Sequence, residues 1–145
     1  APTANEDLAV RAITFAAAGT AGQRCTTLRR LFVHEDVYED LVPKLRRAYG
    51  SVVVGDPRQA GTLIGPLIDG QAFAGMEKAL FEARRHGGHV QGGERLLEKA
   101  HPDAFYVRPA LVEMPKHDGP VPHETFAPIL YVLRYRDFAE AIALN

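Results

Sequence analysis

Cys25 is the only cysteine in this chain of 145 residues, and its side chain is the one best suited to nucleophilic chemistry. It follows Arg24 directly and lies in a stretch of mostly small residues, AAAGTAGQRCTT, at positions 16–27. A thiolate is a strong nucleophile, and a neighbouring cation favours the thiolate over the thiol. The glycines on the N-terminal side leave room for a substrate carbonyl to approach. Composition alone favours another interpretation, in which Cys25 is a small buried apolar side chain.

The histidines offer Cys25 no identifiable partner, because their spacing is typical neither of a Cys–His pair nor of metal ligands. They are scattered along the chain as His34, His86, His89, His101, His117 and His123. Each is better explained as a surface or loop histidine. The sequence therefore predicts no metal site.

The overall charge is nearly balanced, since 17 Lys and Arg against 18 Asp and Glu give a formal net charge of −1. No run of basic residues is longer than a pair, so neither a nucleic-acid surface nor a polybasic membrane surface is predicted. No apolar run has the length of a membrane span. A single cysteine forms no internal disulfide, which suits a reducing compartment. These features together predict a cytoplasmic protein that acts on small molecules.

A helix is predicted before the cysteine, from about residue 4 to about residue 18. Thr3 and Glu6 have the spacing of a capping box, and apolar residues follow at helical intervals. The glycines of the next four residues, GTAG, predict an abrupt end to this helix, because glycine favours sharp changes in backbone direction. Cys25 should therefore lie in a loop at the end of a helix.

Helices alternate with short apolar strands along the rest of the chain. The predicted strands are residues 30–34, 52–54, 89–91, 106–113 and 129–135. The predicted helices contain residues 38–49 and 73–83 and begin again at residue 138. This alternation predicts one α/β domain over residues 1–145, with a mostly parallel sheet covered by helices on both faces in a three-layer α/β/α arrangement.

Two segments together carry a resemblance to a known family. The first, FAAAGTAGQRCTT around Cys25, closely resembles the active-site cysteine signature of the NAD(P)-dependent aldehyde dehydrogenase superfamily. The second, HETFAPI at residues 123–129, is similar to the family's Glu-x-Phe-Gly/Ala-Pro segment. Two motifs at the family's separation are far more specific than either alone. The resemblance covers essentially the whole chain and implies the aldehyde dehydrogenase type of catalytic domain, with Cys25 as the nucleophile.

The resemblance also implies how these residues act. Cys25 would attack an aldehyde to give a thiohemiacetal and then a thioester, with NAD as the hydride acceptor; the choice between NAD and NADP stays open. Glu124 would hold the nicotinamide ribose, and Phe126 would pack near the nicotinamide. The alternatives are that Glu124 is an ordinary loop carboxylate and that Phe126 is a core aromatic residue.

Within the superfamily, GTAGQRCTT and HETFAPILYV are most similar to the antiquitin branch. That branch contains α-aminoadipic semialdehyde dehydrogenase, which implies lysine catabolism. The arginine before the cysteine helps to hold the charged end of the substrate in that branch, and Arg24 matches its position. The alternative for Arg24 is a solvated loop charge that tunes the thiol.

Several parts of the family pattern have no counterpart in residues 1–145. These are the Glu-Leu-Gly-Gly segment with the general base, the asparagine of the oxyanion hole, and the dinucleotide-binding domain. The chain is therefore interpreted as a catalytic domain truncated at both ends and inactive alone. Its expected partners are an aldehyde, the missing dinucleotide-binding domain and further copies of the parent enzyme in a homo-oligomer. Two alternatives stay open, a dehydrogenase for another aldehyde and a non-enzymatic domain that keeps the fold.

Overall fold

A four-stranded sheet forms the centre of the chain, and the computed structural model describes all residues from 1 to 145. In chain order the elements are α1 (Glu6–Ala18), a 3₁₀ turn (Gly19–Gly22), β1 (Arg30–His34), α2 (Glu35–Ser51), α3 (Gly70–Arg85), β2 (His89–Gln91), β3 (Arg95–Leu96), β4 (Tyr106–Val107), β5 (Ala110–Glu113), β6 (Ile129–Tyr135) and α4 (Phe138–Leu144). The strand order in the sheet is β1-β6-β5-β2. The first two pairings are parallel and the last is antiparallel. The predicted mostly parallel sheet is therefore confirmed.

Helices cover both faces of this sheet. Along β6, the side chains of Ile129, Tyr131 and Leu133 pack into the core cluster that contains α3. Leu130 and Val132 alternate with them and pack on the opposite face, against α1 and α2. All five are buried, and they separate into two sets because successive residues of a strand point to opposite faces. The predicted three-layer α/β/α arrangement is confirmed.

Two helices differ in detail from the sequence pattern. Helix α1 begins at Glu6 and is capped by Asn5, whose side-chain oxygen accepts a hydrogen bond from the Leu8 N–H. The capping box predicted from Thr3 is therefore wrong, because Asn5 supplies the capping oxygen directly before the first turn. Helix α2 continues through Pro43. None of the helices is both long and apolar enough to cross a membrane.

Two predicted strands are wrong in extent. Residues 52–54 form only a single bridge, between Val54 and Ile64. The predicted strand at residues 106–113 is divided at Pro109 into β4 and β5. β4 pairs with β3 in a separate two-stranded sheet, whereas β5 pairs with β6 in the four-stranded sheet. Proline has no N–H to donate, so a continuous ladder of hydrogen bonds is interrupted there.

Candidate active site

Cys25 follows a tight turn at the end of α1. After the helix, Thr20, Ala21 and Gly22 take three successive left-handed conformations, with φ of 56°, 54° and 68°. For residues other than glycine this conformation costs roughly 1–2 kcal/mol each, so the surrounding contacts hold it in place. The turn changes the direction of the chain and places Cys25 beyond the helix end, which confirms the predicted location.

Reciprocal hydrogen bonds between Arg24 and Thr27 close the turn that carries Cys25. The Thr27 N–H donates to the Arg24 carbonyl at 3.1 Å, and the Arg24 N–H donates to Thr27 Oγ1 at 3.2 Å. Cys25 is exposed, and its N–H donates to no backbone carbonyl. The interpretation of Cys25 as a buried apolar side chain is therefore wrong. An exposed thiol can attack a carbonyl, and the unused Cys25 N–H beside it can stabilise the resulting oxyanion.

The second segment, HETFAPI, leads into β6 beside this turn. Gly22 fixes the contact between the two segments, since a Cβ placed there would lie only 2.3 Å from the carbonyl oxygen of Ala127. The Glu124 side chain is 60% exposed. Phe126 has φ of 54° and is 42% exposed, so its interpretation as a core aromatic residue is wrong.

Cys25 and Glu124 line one open cavity of about 570 Å³, together with Arg29 and His123. A cavity of this size is typical of small-molecule sites. The predicted placement of the thiol and the carboxylate on the same side of the domain is confirmed, so one bound molecule can contact both groups. No three His, Cys, Asp or Glu side chains are arranged to hold a metal ion.

Arg29 joins the two segments, and the sequence analysis missed it. Its Nη2 lies 3.0 Å from Glu124 Oε1 and donates to the Arg24 carbonyl at 3.2 Å. Its Nη1 donates to the Gly22 carbonyl at 3.4 Å. The guanidinium carbon lies 5.1 Å from the centroid of the Phe126 ring, within the range of a cation–π interaction. One side chain thus contacts the cysteine turn, the carboxylate and the aromatic ring.

No sequence signal distinguishes this arginine from its neighbour Arg30. Arg29 directly precedes β1 and Arg30 is its first residue, and the two side chains are chemically the same. Arg30 instead contacts the ring of His117, with Nη1 at 3.0 Å from Nε2. Only the tertiary structure shows which of the two reaches Glu124.

The Arg24 side chain is not brought together with the other predicted residues. Its guanidinium lies over the Phe15 ring, 5.2 Å from the centroid, and donates to the Phe15 carbonyl at 3.4 Å. Gly19 makes room for it, since a Cβ at that position would lie 2.8 Å from Arg24 Nη2. The residues that line the cavity with Cys25 do not include Arg24. A substrate-binding role for Arg24 stays a prediction.

Cys25 and Glu124 thus lie on two loops in backbone contact and face one cavity of a three-layer α/β domain. The sequence profile described as "Aldehyde dehydrogenase family" matches residues 1–145. The chain belongs to the aldehyde dehydrogenase family.

Two relatives illustrate the similarity in sequence. The chain is 45% identical over 143 residues to alpha-aminoadipic semialdehyde dehydrogenase of Mus musculus, a match that covers 98% of the chain and 26% of that protein. It is 42% identical over 142 residues to aldehyde dehydrogenase family 7 member A1 of Malus domestica, covering 98% of the chain and 27% of that protein. The chain therefore spans about a quarter of the length of these curated relatives.

Solved structures of the family share the fold. Lactaldehyde dehydrogenase from Escherichia coli superposes with a TM-score of 0.89 at 29% identity, over 97% of the chain and 29% of that structure. A 3,6-anhydro-L-galactose dehydrogenase in complex with NAP gives a TM-score of 0.91 at 29% identity, over 97% of the chain and 30% of that structure. The three-layer arrangement is thus that of aldehyde dehydrogenase catalytic domains.

Proposed function

We propose that the chain is part of the catalytic domain of an NAD(P)-dependent aldehyde dehydrogenase in which Cys25 is the nucleophile. The observation that carries the proposal is the shared cavity, where the exposed Cys25 and the Glu124 carboxylate face the same solvent space. Membership of the family supports aldehyde oxidation as the reaction class. The unused Cys25 N–H supports the stabilisation of an oxyanion at the same place.

In the proposed reaction, the Cys25 thiolate forms a C–S bond to the aldehyde carbon, and the π electrons of the carbonyl move to its oxygen. The Cys25 N–H donates to this oxyanion. The carbonyl then re-forms, and the hydrogen on carbon leaves with its electron pair, so that a thioester on Cys25 results. Bound NAD(P)⁺ supplies the hydride acceptor. Water adds to the thioester, the C–S bond breaks, and the carboxylic acid and the free thiol are released.

Glu124 and Phe126 fit the proposed dinucleotide contact. Arg29 pairs with Oε1 of Glu124, and Oε2 is left for a ligand. A carboxylate accepts hydroxyl donors through strong charge-assisted bonds, so Glu124 would hold the ribose hydroxyls. The exposed ring of Phe126 would pack near the nicotinamide and limit its position. The rest of the dinucleotide site, including the choice between NAD and NADP, belongs to a dinucleotide-binding domain outside residues 1–145.

α-Aminoadipic semialdehyde is the proposed substrate, and Arg24 would bind its distant carboxylate. Relatives with that name from mouse, rat and cattle are 45%, 43% and 42% identical to the chain. Because the Arg24 guanidinium lies over Phe15, carboxylate binding requires its side chain to turn toward Cys25. The complete enzyme is proposed to be a cytoplasmic homo-oligomer.

The position of Arg24 also favours a second candidate, a dehydrogenase for an uncharged aldehyde. An arginine that stays on the Phe15 ring, outside the cavity, gives a substrate carboxylate no partner. A non-enzymatic domain is the weaker alternative, because such a domain has no need to present Cys25 and Glu124 to one cavity.

Steady-state kinetics on the full-length protein that carries this segment test the proposal. Wild type should form NADH or NADPH with α-aminoadipic semialdehyde, and Cys25→Ala should reduce the rate to background. An uncharged aldehyde of similar length separates the two candidates, since faster turnover of that aldehyde favours the second. The proposal fails if wild type oxidises no aldehyde with either dinucleotide, or if Cys25→Ala stays active.

A further inference from the structure

We propose that Arg29 is a positioning residue whose guanidinium holds the Arg24–Cys25 peptide and the Glu124 carboxylate in one fixed arrangement. The inference rests on the proposed function, because it concerns the site at which Cys25 and Glu124 act. Arg29 acts through these two groups rather than on the reacting atoms.

The first step of the argument concerns the direction of the Cys25 N–H. The Arg24 carbonyl accepts two hydrogen bonds, from the Thr27 N–H at 3.1 Å and from Arg29 Nη2 at 3.2 Å. In a trans peptide the C=O and the following N–H point in opposite directions, and the chain has no cis peptide bond. Since Arg29 fixes the Arg24 carbonyl, the Cys25 N–H points away from the guanidinium and has no backbone acceptor. That direction keeps the N–H available to an oxyanion on the substrate.

The second step concerns the carboxylate. Arg29 Nη2 lies 3.0 Å from Glu124 Oε1, and the guanidinium covers one face of the Phe126 ring. The Arg29 side chain is only 18% exposed, so these contacts are partly shielded from water. A planar guanidinium has five N–H donors in a rigid fork and can bind two carbonyls and one carboxylate together. The ammonium of lysine is a point charge without this fork.

The test uses the full-length protein with Arg29→Ala and Arg29→Lys. Arg29→Ala should lower kcat about 10–100-fold because the oxyanion donor loses its direction. It should also raise the KM for the dinucleotide about tenfold, because Glu124 loses the charge-assisted contact that orients it. In Arg29→Lys the ammonium still pairs with Glu124, so KM should return to within about threefold of wild type while kcat stays at least about tenfold low.

Arg134→Ala is the matched control. Arg134 also lies over an aromatic ring, 4.0 Å from the Tyr38 centroid, and also pairs with a carboxylate, that of Glu39. It lies on β6, and its guanidinium contacts Tyr38 and Glu39 instead of the cysteine turn or Glu124. The Arg134 pair has the same chemistry in a more exposed place, and its loss should leave both kcat and KM at the wild-type values.

Amide hydrogen exchange measures the coupling between the cysteine turn and the Glu124 segment, and it requires no enzymatic turnover. In Arg29→Ala, the amides of residues 20–27 and 121–127 should exchange at least about tenfold faster, because the link between the two segments is lost. The amides of α3 should be unchanged. Arg134→Ala should match wild type in all three regions.

Three results would overturn the inference. The first is that Arg29→Ala has the kcat, KM and amide exchange of wild type. The second is that kcat recovers together with KM in Arg29→Lys, and the third is that Arg134→Ala loses as much activity as Arg29→Ala. If Arg29→Ala does not fold, Arg29→Lys tests the inference, because its KM should be near that of wild type while its kcat stays low. A wild-type protein without aldehyde oxidation would reject the proposed function, and faster exchange in Arg29→Ala would then still support the coupling of the two segments by Arg29.

Discussion

Gly22 packs directly against the backbone at Ala127: a Cβ on Gly22 would lie 2.3 Å from the Ala127 carbonyl oxygen and 2.5 Å from the Pro128 nitrogen. Gly22 also has φ of 68°, in the left-handed region that glycine adopts without steric cost. The loops that carry Cys25 and Glu124 therefore meet in backbone contact. A side chain at position 22 would separate them.

Gly22→Ala should lower the free energy of unfolding of the chain by about 2–5 kcal/mol. The left-handed backbone costs alanine about 1–2 kcal/mol, and the clash with a backbone that cannot move freely adds about 1–3 kcal/mol. Urea unfolding of the 145-residue chain measures the change. Gly50→Ala is the matched control, because Gly50 lies near the end of α2 with open space around its Cβ position. Gly50→Ala should leave stability unchanged or raise it by up to about 1 kcal/mol. Equal stability of the two variants would contradict the proposed contact.

Arg24→Ala should reduce kcat/KM for α-aminoadipic semialdehyde more than for an uncharged aldehyde of similar length. One charge-assisted contact is worth about 1.5–3 kcal/mol, which corresponds to roughly one to two decades in specificity. Competition kinetics on the full-length protein give this ratio directly. An equal loss on both aldehydes would mean that Arg24 tunes the thiol or supports the turn, and it would exclude a carboxylate-binding role.

The parts of the fold that follow from local patterns could be predicted from the sequence. The predicted strands at residues 30–34 and 129–135 are confirmed, because short apolar runs beside polar residues suffice to identify them. The predicted strand at residues 89–91 is also confirmed, although HVQ contains only one apolar residue. The strand predicted at residues 106–113 was wrong because the effect of Pro109 depends on which sheet each half joins. Local pattern carries no information about that choice.

The sequence predicts the two loops of the candidate site but not the directions of its arginine side chains. The motifs around Cys25 and Glu124 indicated two loops of one site, and the cavity that both residues line agrees. The direction of an arginine side chain is different, because it depends on contacts far along the chain. Arg29 reaches Glu124, whereas Arg24 lies back on α1 over Phe15, and the sequence alone gives no reason for either.

Tyr49→Phe should have little effect on stability at neutral pH and should protect the fold at high pH. Burial raises the pKa of Tyr49 well above its ordinary value, and its hydroxyl has no hydrogen-bond partner. Above pH 10 the unfolded chain gains stability by ionising this tyrosine, while the folded chain keeps it neutral. Between pH 7 and pH 11, the free energy of unfolding of wild type should therefore fall by about 1.4 kcal/mol more than that of Tyr49→Phe. Urea unfolding at pH 7 and pH 11 measures the difference.

Tyr38→Phe is the contrasting variant. The Tyr38 hydroxyl donates to Glu113 Oε2 at 3.0 Å, and burial together with the Glu113 charge raises the pKa of Tyr38. Removal of that donor should cost about 1–3 kcal/mol already at pH 7, because the half-buried carboxylate loses a partner. If Tyr49→Phe were as destabilising as Tyr38→Phe at pH 7, the Tyr49 hydroxyl would have to be paired in solution.

Cys25 of the 145-residue chain should react fully with iodoacetamide in the native state, and the chain alone should reduce no NAD⁺ with any aldehyde. The thiol is exposed on its turn, so the reagent has direct access. Turnover also needs a hydrolytic base, a second oxyanion donor and a positioned dinucleotide, which we propose to lie in the rest of the enzyme. Loss of one oxyanion donor alone lowers kcat about 10²–10³-fold. Mass spectrometry after labelling and a dinucleotide absorbance assay measure the two results.

Cys25→Ser is the control for both measurements, because Cys25 is the only cysteine and the variant should take up no label. A native chain that is labelled only after unfolding would show that the thiol is inaccessible in solution, which contradicts the exposed turn. Dinucleotide reduction by the chain that disappears in Cys25→Ser would show that residues 1–145 suffice for hydride transfer. In that case Glu124, Phe126 and the Cys25 N–H would hold both reactants without a separate dinucleotide-binding domain.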